Sequence, residues 1–206
     1  MKVNTKKSLI VVLVEPAGTI NIGSVARLCE NFRVNELRLV SPRCNYLAQE
    51  AKYMAVKGIN ILERAKIYQD LNSALSDCSR VIATCGRKDH GDIPLNSNKE
   101  ALKWALESKE DNETIALVFG REDRGLSNEE LLKANKVISL NTSHHYPSLN
   151  LSHAVAIVLH QIHHFNELGL SKPNRKISYP TNLIKLEDCI NDLGSLLLNI
   201  GFLMKN

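Results

Sequence analysis

At 206 residues with 44% hydrophobic content, the chain is long enough to bury one sizeable core, so a single main domain with at most a small appendage is expected. Its longest apolar runs, such as Leu9 to Val14, are far too short to cross a bilayer, and the N-terminus carries neither the apolar stretch nor the cleavage site of a signal peptide, so the expectation is a cytoplasmic protein with no membrane partner. The 26 Lys plus Arg against 22 Asp plus Glu leave a net charge of +4, which tolerates a polyanionic partner without requiring one, and the five scattered cysteines, with no C-x-x-C pair, suggest reduced thiols rather than a disulfide framework or a zinc site.

Leu9 to Val14 predicts a buried strand, and Ile22, Val25, Ala26, Cys29 and Phe32 then keep the three- and four-residue spacing of a helix. Further strands are expected at Leu37 to Val40, Val81 to Thr84, Ile115 to Phe119 and Val137 to Leu140, with a helix through Ala101, Trp104 and Ala105. Ser127 and Glu130 form a capping box, and Leu126 with Leu131 supply the hydrophobic staple, so a helix begins just after Ser127. A long helix is patterned by Leu151, Val155, Val158, Leu159, Ile162 and Phe165, with Asn150 as its N-cap. The alternation implies an α/β fold with a largely parallel sheet.

Ser171 to Pro180, with two prolines and three basic residues, reads as a linker, which divides the chain into a main domain 1–168, a linker 169–180 and a C-terminal segment 181–206. In that last segment Leu186, Ile190, Leu193, Leu197 and Ile200 mark an amphipathic helix whose Gly194 and Gly201 share a face and permit close helix approach. Loose basic clusters, read singly as solvated surface, occur at Lys2, Lys6 and Lys7, at Arg33, Arg38 and Arg43, and at Lys172, Arg175 and Lys176.

Three runs sit at expected strand exits, where α/β sheets bind ligands. In Glu15 to Arg27, Arg27 falls outside the apolar stripe, so its guanidinium points away from the core; Asn21 then caps the helix while Arg27 either meets a phosphate or is an ordinary surface arginine. Phe119 to Leu126 has Gly120 and Gly125, which release the backbone and admit close approach, but it is neither a P-loop nor a dinucleotide fingerprint. In Tyr146 to Leu151 the amides of a helix start, with Ser148 and Asn150, suit an oxygen-rich ligand, or Asn150 is only a cap.

Together, N-I-G-x-x-A-R at Asn21 to Arg27, F-G-x-E-x-x-G-L at Phe119 to Leu126 and S-L-N-L at Ser148 to Leu151 resemble the three motifs of the SpoU/TrmH (SPOUT) RNA 2′-O-methyltransferases, in matching order across roughly Leu9 to Phe165. The opening V-E-P-A-x-x-x-N-I-G and the run Gly120 to Leu131 resemble the TrmJ type most closely. The resemblance implies a parallel sheet flanked by helices with a C-terminal trefoil knot, an exception to the usual rule against knots. It also implies S-adenosyl-L-methionine as methyl donor, a homodimer, and tRNA cytidine or uridine at position 32 of the anticodon loop as substrate. Another tRNA ribose, ribosomal RNA, or a non-catalytic RNA-binding role are the alternatives.

By the same resemblance, donor contacts fall at Thr84, Cys85, Gly86, Gly120, Ile138, Leu140, Ser148 and Leu149, and Arg27 is the catalytic residue, supported by Asn21, Glu122, Ser148 and Asn150. A guanidinium keeps its proton at neutral pH, so a literal general-base role for arginine is difficult. Arg27 is therefore expected to bind phosphate and stabilise a developing oxyanion, with the proton leaving to phosphate, Glu122 or water. No metal is needed, and His160, His163 and His164 read as surface or interface histidines, because Gln161 stands where the zinc-protease pattern needs Glu. The Leu151 to Phe165 stripe serves either the dimer interface or the chain's own core.

Overall fold

Strand β1 (Ser8–Val14) puts Ile10, Val12 and Val14 on one face and Val11 and Leu13 on the other, and all five are buried. That is why its sequence is a continuous apolar run, as expected of a parallel strand covered on both sides. The computed structural model describes residues 8–87, 90–107, 113–140, 142–143, 145–167 and 183–200. Around β1 lie β2 (Glu36–Val40), β3 (Lys66–Tyr68), β4 (Arg80–Thr84), β5 (Thr114–Phe119) and β6 (Lys136–Ile138), in the order β3-β2-β1-β5-β4-β6 with every pairing parallel.

Helices α1 (Thr19–Asn31), α2 (Gln49–Ala55), α3 (Ile59–Glu63), α5 (Asn98–Leu106) and α7 (Leu151–Glu167) pack on the face of Val11 and Leu13, while α4 (Leu71–Leu75) and α6 (Asn128–Leu132) cover the face of Val12 and Val14. The expected capping box at the start of α6 is present, with Ser127 Oγ accepting from the Glu130 N–H and the Glu130 carboxylate accepting from the Ser127 N–H. Asn150 caps α7 by accepting from the Ser152 N–H at 2.9 Å. The α7 stripe of Leu151, Val155, Val158, Leu159 and Ile162 is buried in the chain's own core against α1 and α5, so of the two uses expected for it the intramolecular one is realised.

One expectation is corrected, and one strand is new. Arg38 belongs to no surface cluster: it is 2% exposed, donates to the Ala74 carbonyl and the Asp77 carboxylate, pairs with Glu36 and stacks over Tyr68. A charge inside a strand is tolerated there because acceptors surround it. Strand β3 was not expected: it is three residues on the sheet edge, with Lys66 and Ile67 exposed, too short and too wet to show a period.

Helix α8 (Leu183–Asn199) forms where a final helix is expected, and Lys133, which caps the end of α6, lies 4.0 Å from its Glu187. Leu186, Ile190 and Leu193 are exposed, and a Cβ built on Gly194 would meet nothing within 4 Å, so no close helix approach uses that position among the described residues. Gly201 and the linker lie outside the described residues.

Candidate active site

A cleft of about 270 Å³ opens where β4 and β5 end, walled by 84–87, by 119–125 and by Leu140 with 147–149, and floored by Leu151 and Ala154 of α7. The expected donor contacts Thr84, Cys85, Gly86, Gly120, Leu140, Ser148 and Leu149 all line it. Ile138 does not: its side chain is fully buried in the core, and its carbonyl accepts from the Cys85 N–H at 2.8 Å, fixing the strand exit behind the cleft. The Thr84 hydroxyl donates to the Val118 carbonyl at 3.1 Å, joining β4 to β5 where the two strands end at the cleft.

The β5 exit is a tight hairpin in which Arg121 and Gly125 exchange backbone hydrogen bonds, with Gly125 at φ 68. A Cβ at Gly120 would lie 2.2 Å from the Gly125 carbonyl carbon and 2.3 Å from the Leu126 nitrogen. Glycine at 120 therefore permits the hairpin to fold back over the strand end, and at 125 it supplies the left-handed turn.

Glu122 joins the cleft to helix α1. Its carboxylate accepts from the N–H groups of Ala17 at 3.1 Å and Gly18 at 3.0 Å and from Asn21 Nδ2 at 3.0 Å. Burial on its own would raise the Glu122 pKa, but these donors, the Asn21 amide foremost, outweigh it and hold the carboxyl below its ordinary range. The expected cap role of Asn21 is corrected here: Gly18 occupies the N-cap, and Asn21 stands inside the first turn. Its Nδ2 donates to Glu122 while its Oδ1 accepts from Asn150 Nδ2 at 2.9 Å. A single amide thereby links all three motif loops, through contacts 101 and 129 residues apart in sequence.

Arg27 lies further along α1, exposed, outside the residues lining the cleft, and without a hydrogen bond or ion pair among the described residues. Ser148 faces the cleft.

Sequence reasoning named neither Arg121 nor Glu15 as site residues. The Arg121 guanidinium is bidentate to Glu130 at 2.8 and 2.9 Å and also pairs with Glu15 across 106 residues. The Arg121 hydrogen bond is the chief reason the Glu15 pKa falls to about 2. Only the charge pattern R-E at 121–122 beside the capping-box Glu130 offered a signal, and it does not name Glu15.

The cleft combines small residues, apolar Phe119, Leu140, Leu149 and Leu151, the carboxylates of Glu122 and Asp123 and the guanidiniums of Arg87, Arg121 and Arg124, so it can hold a ligand that has both apolar and charged parts. An all-parallel sheet with such a cleft at its strand exits defines the class, and the chain belongs to the SpoU rRNA Methylase family, whose model matches residues 8–160. Several of its relatives carry TrmJ names. The tRNA (cytidine-2′-O-)-methyltransferase TrmJ of Methanocaldococcus jannaschii is 42% identical over 158 residues, covering 74% of this chain and 66% of that protein. The tRNA (cytidine/uridine-2′-O-)-methyltransferase TrmJ of Salmonella choleraesuis is 33% identical over 201 residues, covering 95% and 81%. The crystal structure of TrmJ from Z. mobilis ZM4 is similar with a TM-score of 0.76 at 28% identity, covering 94% of this chain and 81% of that one.

Proposed function

We propose that this chain is an S-adenosyl-L-methionine-dependent RNA ribose 2′-O-methyltransferase that acts on tRNA, with the cytidine or uridine at position 32 of the anticodon loop as target. The observation that carries the reading is the Asn150–Asn21–Glu122 chain, which ties the cleft to the helix bearing Arg27. The cleft suits the donor: it is near the lower end of small-molecule sites at ~300 Å³, and its lining mixes small residues such as Gly86, Gly120 and Ser148 with apolar Phe119, Leu140 and Leu149 and with charged side chains. S-adenosylmethionine, when bound, supplies an electrophilic methyl group. Thr84, Cys85, Gly86, Gly120, Leu140, Ser148 and Leu149 would hold it, with Ile138 behind them.

Arg27, a permanent cation with no committed partner among the described residues, binds the phosphate beside the target ribose and stabilises the oxyanion developing at the 2′-oxygen. Glu122 is a poor proton acceptor, because its carboxylate already takes three hydrogen bonds and its pKa is lowered. The proton therefore leaves to phosphate or water, and Glu122, Asn21 and Asn150 position α1.

The finer architecture follows the same reading. β6 sits on the sheet edge beside β4, yet α7, the next helix described, packs against α1 and α5, a return that supports a trefoil knot around the cleft. The main domain ends at 168, the linker spans 169–180, and 181–206 is a helical appendage. With the α7 stripe consumed internally, the homodimer uses another face, and light scattering should give twice the 23.0 kDa chain mass. A cytoplasmic location accords with the described residues, where no helix is long and apolar enough to cross a membrane.

The test is transfer of labelled methyl from S-adenosylmethionine to unmodified tRNA, with the modified ribose mapped. Arg27→Ala should lower turnover by ~10²–10³-fold, as loss of an oxyanion donor does, while donor affinity stays nearly intact. Near-normal turnover in that variant refutes the assignment, and a methyl mapped to another tRNA ribose replaces the target.

A further inference from the structure

We propose that Arg43 and Arg124, both drawn to the Glu15 carboxylate at the cleft, form a clamp for RNA backbone phosphates separate from Arg27. This rests on the RNA-methyltransferase reading. Glu15 leaves β1 with φ 45, a left-handed conformation that a non-glycine residue adopts at a cost. Such strain is retained when surrounding contacts over-determine it, and here three guanidiniums converge on one carboxylate. Arg121 takes Oε1, while Arg43 pairs with Oε2 and Arg124 lies 3.6 Å from that same oxygen.

The three arginines are not equivalent. Arg121 is 10% exposed and its charge is matched by Glu130, so it serves the fold. Arg43 and Arg124 are 46% and 57% exposed, and among the described residues Glu15 is the one acid within 4.0 Å of either. Three cations thus share two carboxylates, and the surplus positive charge sits on the two solvent-facing members. Arg124 also lines the donor cleft, and the Arg43 N–H donates to the Pro16 carbonyl at 2.9 Å, which ties it to the β1–α1 loop. The planar donors of a guanidinium fit two phosphate oxygens, and anchoring at Glu15 fixes their direction before the anion arrives. Arg87 also lines the cleft but is already committed to Asn128 at 2.6 Å.

A backbone phosphate contact has a signature that a structural role lacks: its removal flattens the dependence of binding on salt. Anisotropy titrations of an unmodified tRNA transcript across a salt series should show the slope of log K against log salt shallower by about 1 for each of Arg43→Gln and Arg124→Gln, with affinity lower by about three- to tenfold. Arg43→Lys and Arg124→Lys should keep the slope. Lys103→Gln, near the C-terminal end of α5 and beside Trp104, whose carbonyl accepts from Arg80 at the start of β4, lies at the strand-entry end of the sheet, away from the strand exits, and should leave it unchanged. S-adenosylmethionine affinity by calorimetry should be the same in all. A slope unmoved by both Gln variants overturns the clamp, as does an Arg124→Gln that weakens donor binding and leaves the slope alone, since Arg124 would then be a donor contact. Wild-type protein that transfers no methyl but retains an arginine-dependent slope sinks the enzymatic reading and leaves the clamp standing.

Discussion

Replacing Glu122 by glutamine and by alanine separates a positioning carboxylate from a proton acceptor. In the native protein Oε1 accepts from the Gly18 N–H and Asn21 Nδ2, both partly buried, and Oε2 from the more exposed Ala17 N–H. Alanine strands all three donors; a buried unpaired donor costs ~1–3 kcal/mol, so the two partly buried ones set a loss of about 3 kcal/mol. For a chain of this length that is a drop in Tm of about 6–12 °C. Glutamine with its oxygen at the Oε1 position keeps the two inner bonds and turns an NH₂ toward Ala17, whose N–H finds water; the cost is about 1 kcal/mol, or about 2–4 °C. If the role is positional, turnover follows the same order: glutamine stays within about tenfold of wild type and alanine falls by about a hundredfold, since each 1.4 kcal/mol is worth about a factor of ten. Melting curves by circular dichroism and steady-state methyl transfer read the two quantities. A glutamine variant as inactive as alanine yet nearly as stable as wild type would show that Glu122 takes the proton, and the positional argument would fail.

Acid should weaken the site's framework in a defined window. Glu15, whose pKa Arg121 brings to about 2, and Glu130, where Arg121 and the Ser127 N–H outweigh burial, both have folded values below their ordinary carboxylate range. Their contribution is complete above that ordinary range and is lost as pH falls through the folded values; urea midpoints should hold from neutrality to about pH 5 and decline below, and Arg121→Leu should flatten that decline. A Gly120→Ala variant would press its Cβ to 2.2 Å from the Gly125 carbonyl carbon, an unyielding backbone atom, so the hairpin must open. The expected result is a loss of ~1–3 kcal/mol of stability and of most donor binding by calorimetry, and unchanged donor affinity would show that the hairpin does not shape the cleft.

The strands that run from edge to edge of the core were legible because burial on both faces leaves no polar residue to hide the pattern, as in Ile10 to Val14 and Ile115 to Phe119. The capping box at Ser127 was legible because its partners are three residues apart. Asn21 was misread for the opposite reason. A short polar residue near a helix start fits a cap locally, and its two actual partners are brought to it only when the exits of β1 and β5 and the start of α7 meet. Arg38 shows the same blindness in a strand: apart from Glu36 two residues earlier, its acceptors come from α4 and the turn after it, so an E-x-R spacing within β2 does not by itself announce a buried cation. The pairing of Arg121 with Glu15 across the sheet was hidden in the same way.

The sheet order explains why the cleft stands where it does. The chain runs from β1 outward through β2 to β3 and resumes on the other side of β1, so the reversal point lies between the exits of β1 and β5, where an open α/β sheet ordinarily receives its ligand. Here that crevice is filled from within: Glu122 caps the Ala17 and Gly18 amides at the start of α1, and Arg121 pairs with Glu15 beside it. The chain's own carboxylate thereby sits at the helix start where a phosphate would otherwise be drawn, holding the amides that lead into its first turn. The cavity is displaced one strand over, to the exits of β5 and β4, where 147–149 supply the remaining wall. Helix α1 is then anchored at its beginning by Glu122 and open along its exposed face, which is the arrangement that the role proposed for Arg27 requires. A donor or phosphate seated on the α1 N-terminus in place of Glu122 would contradict this division of labour.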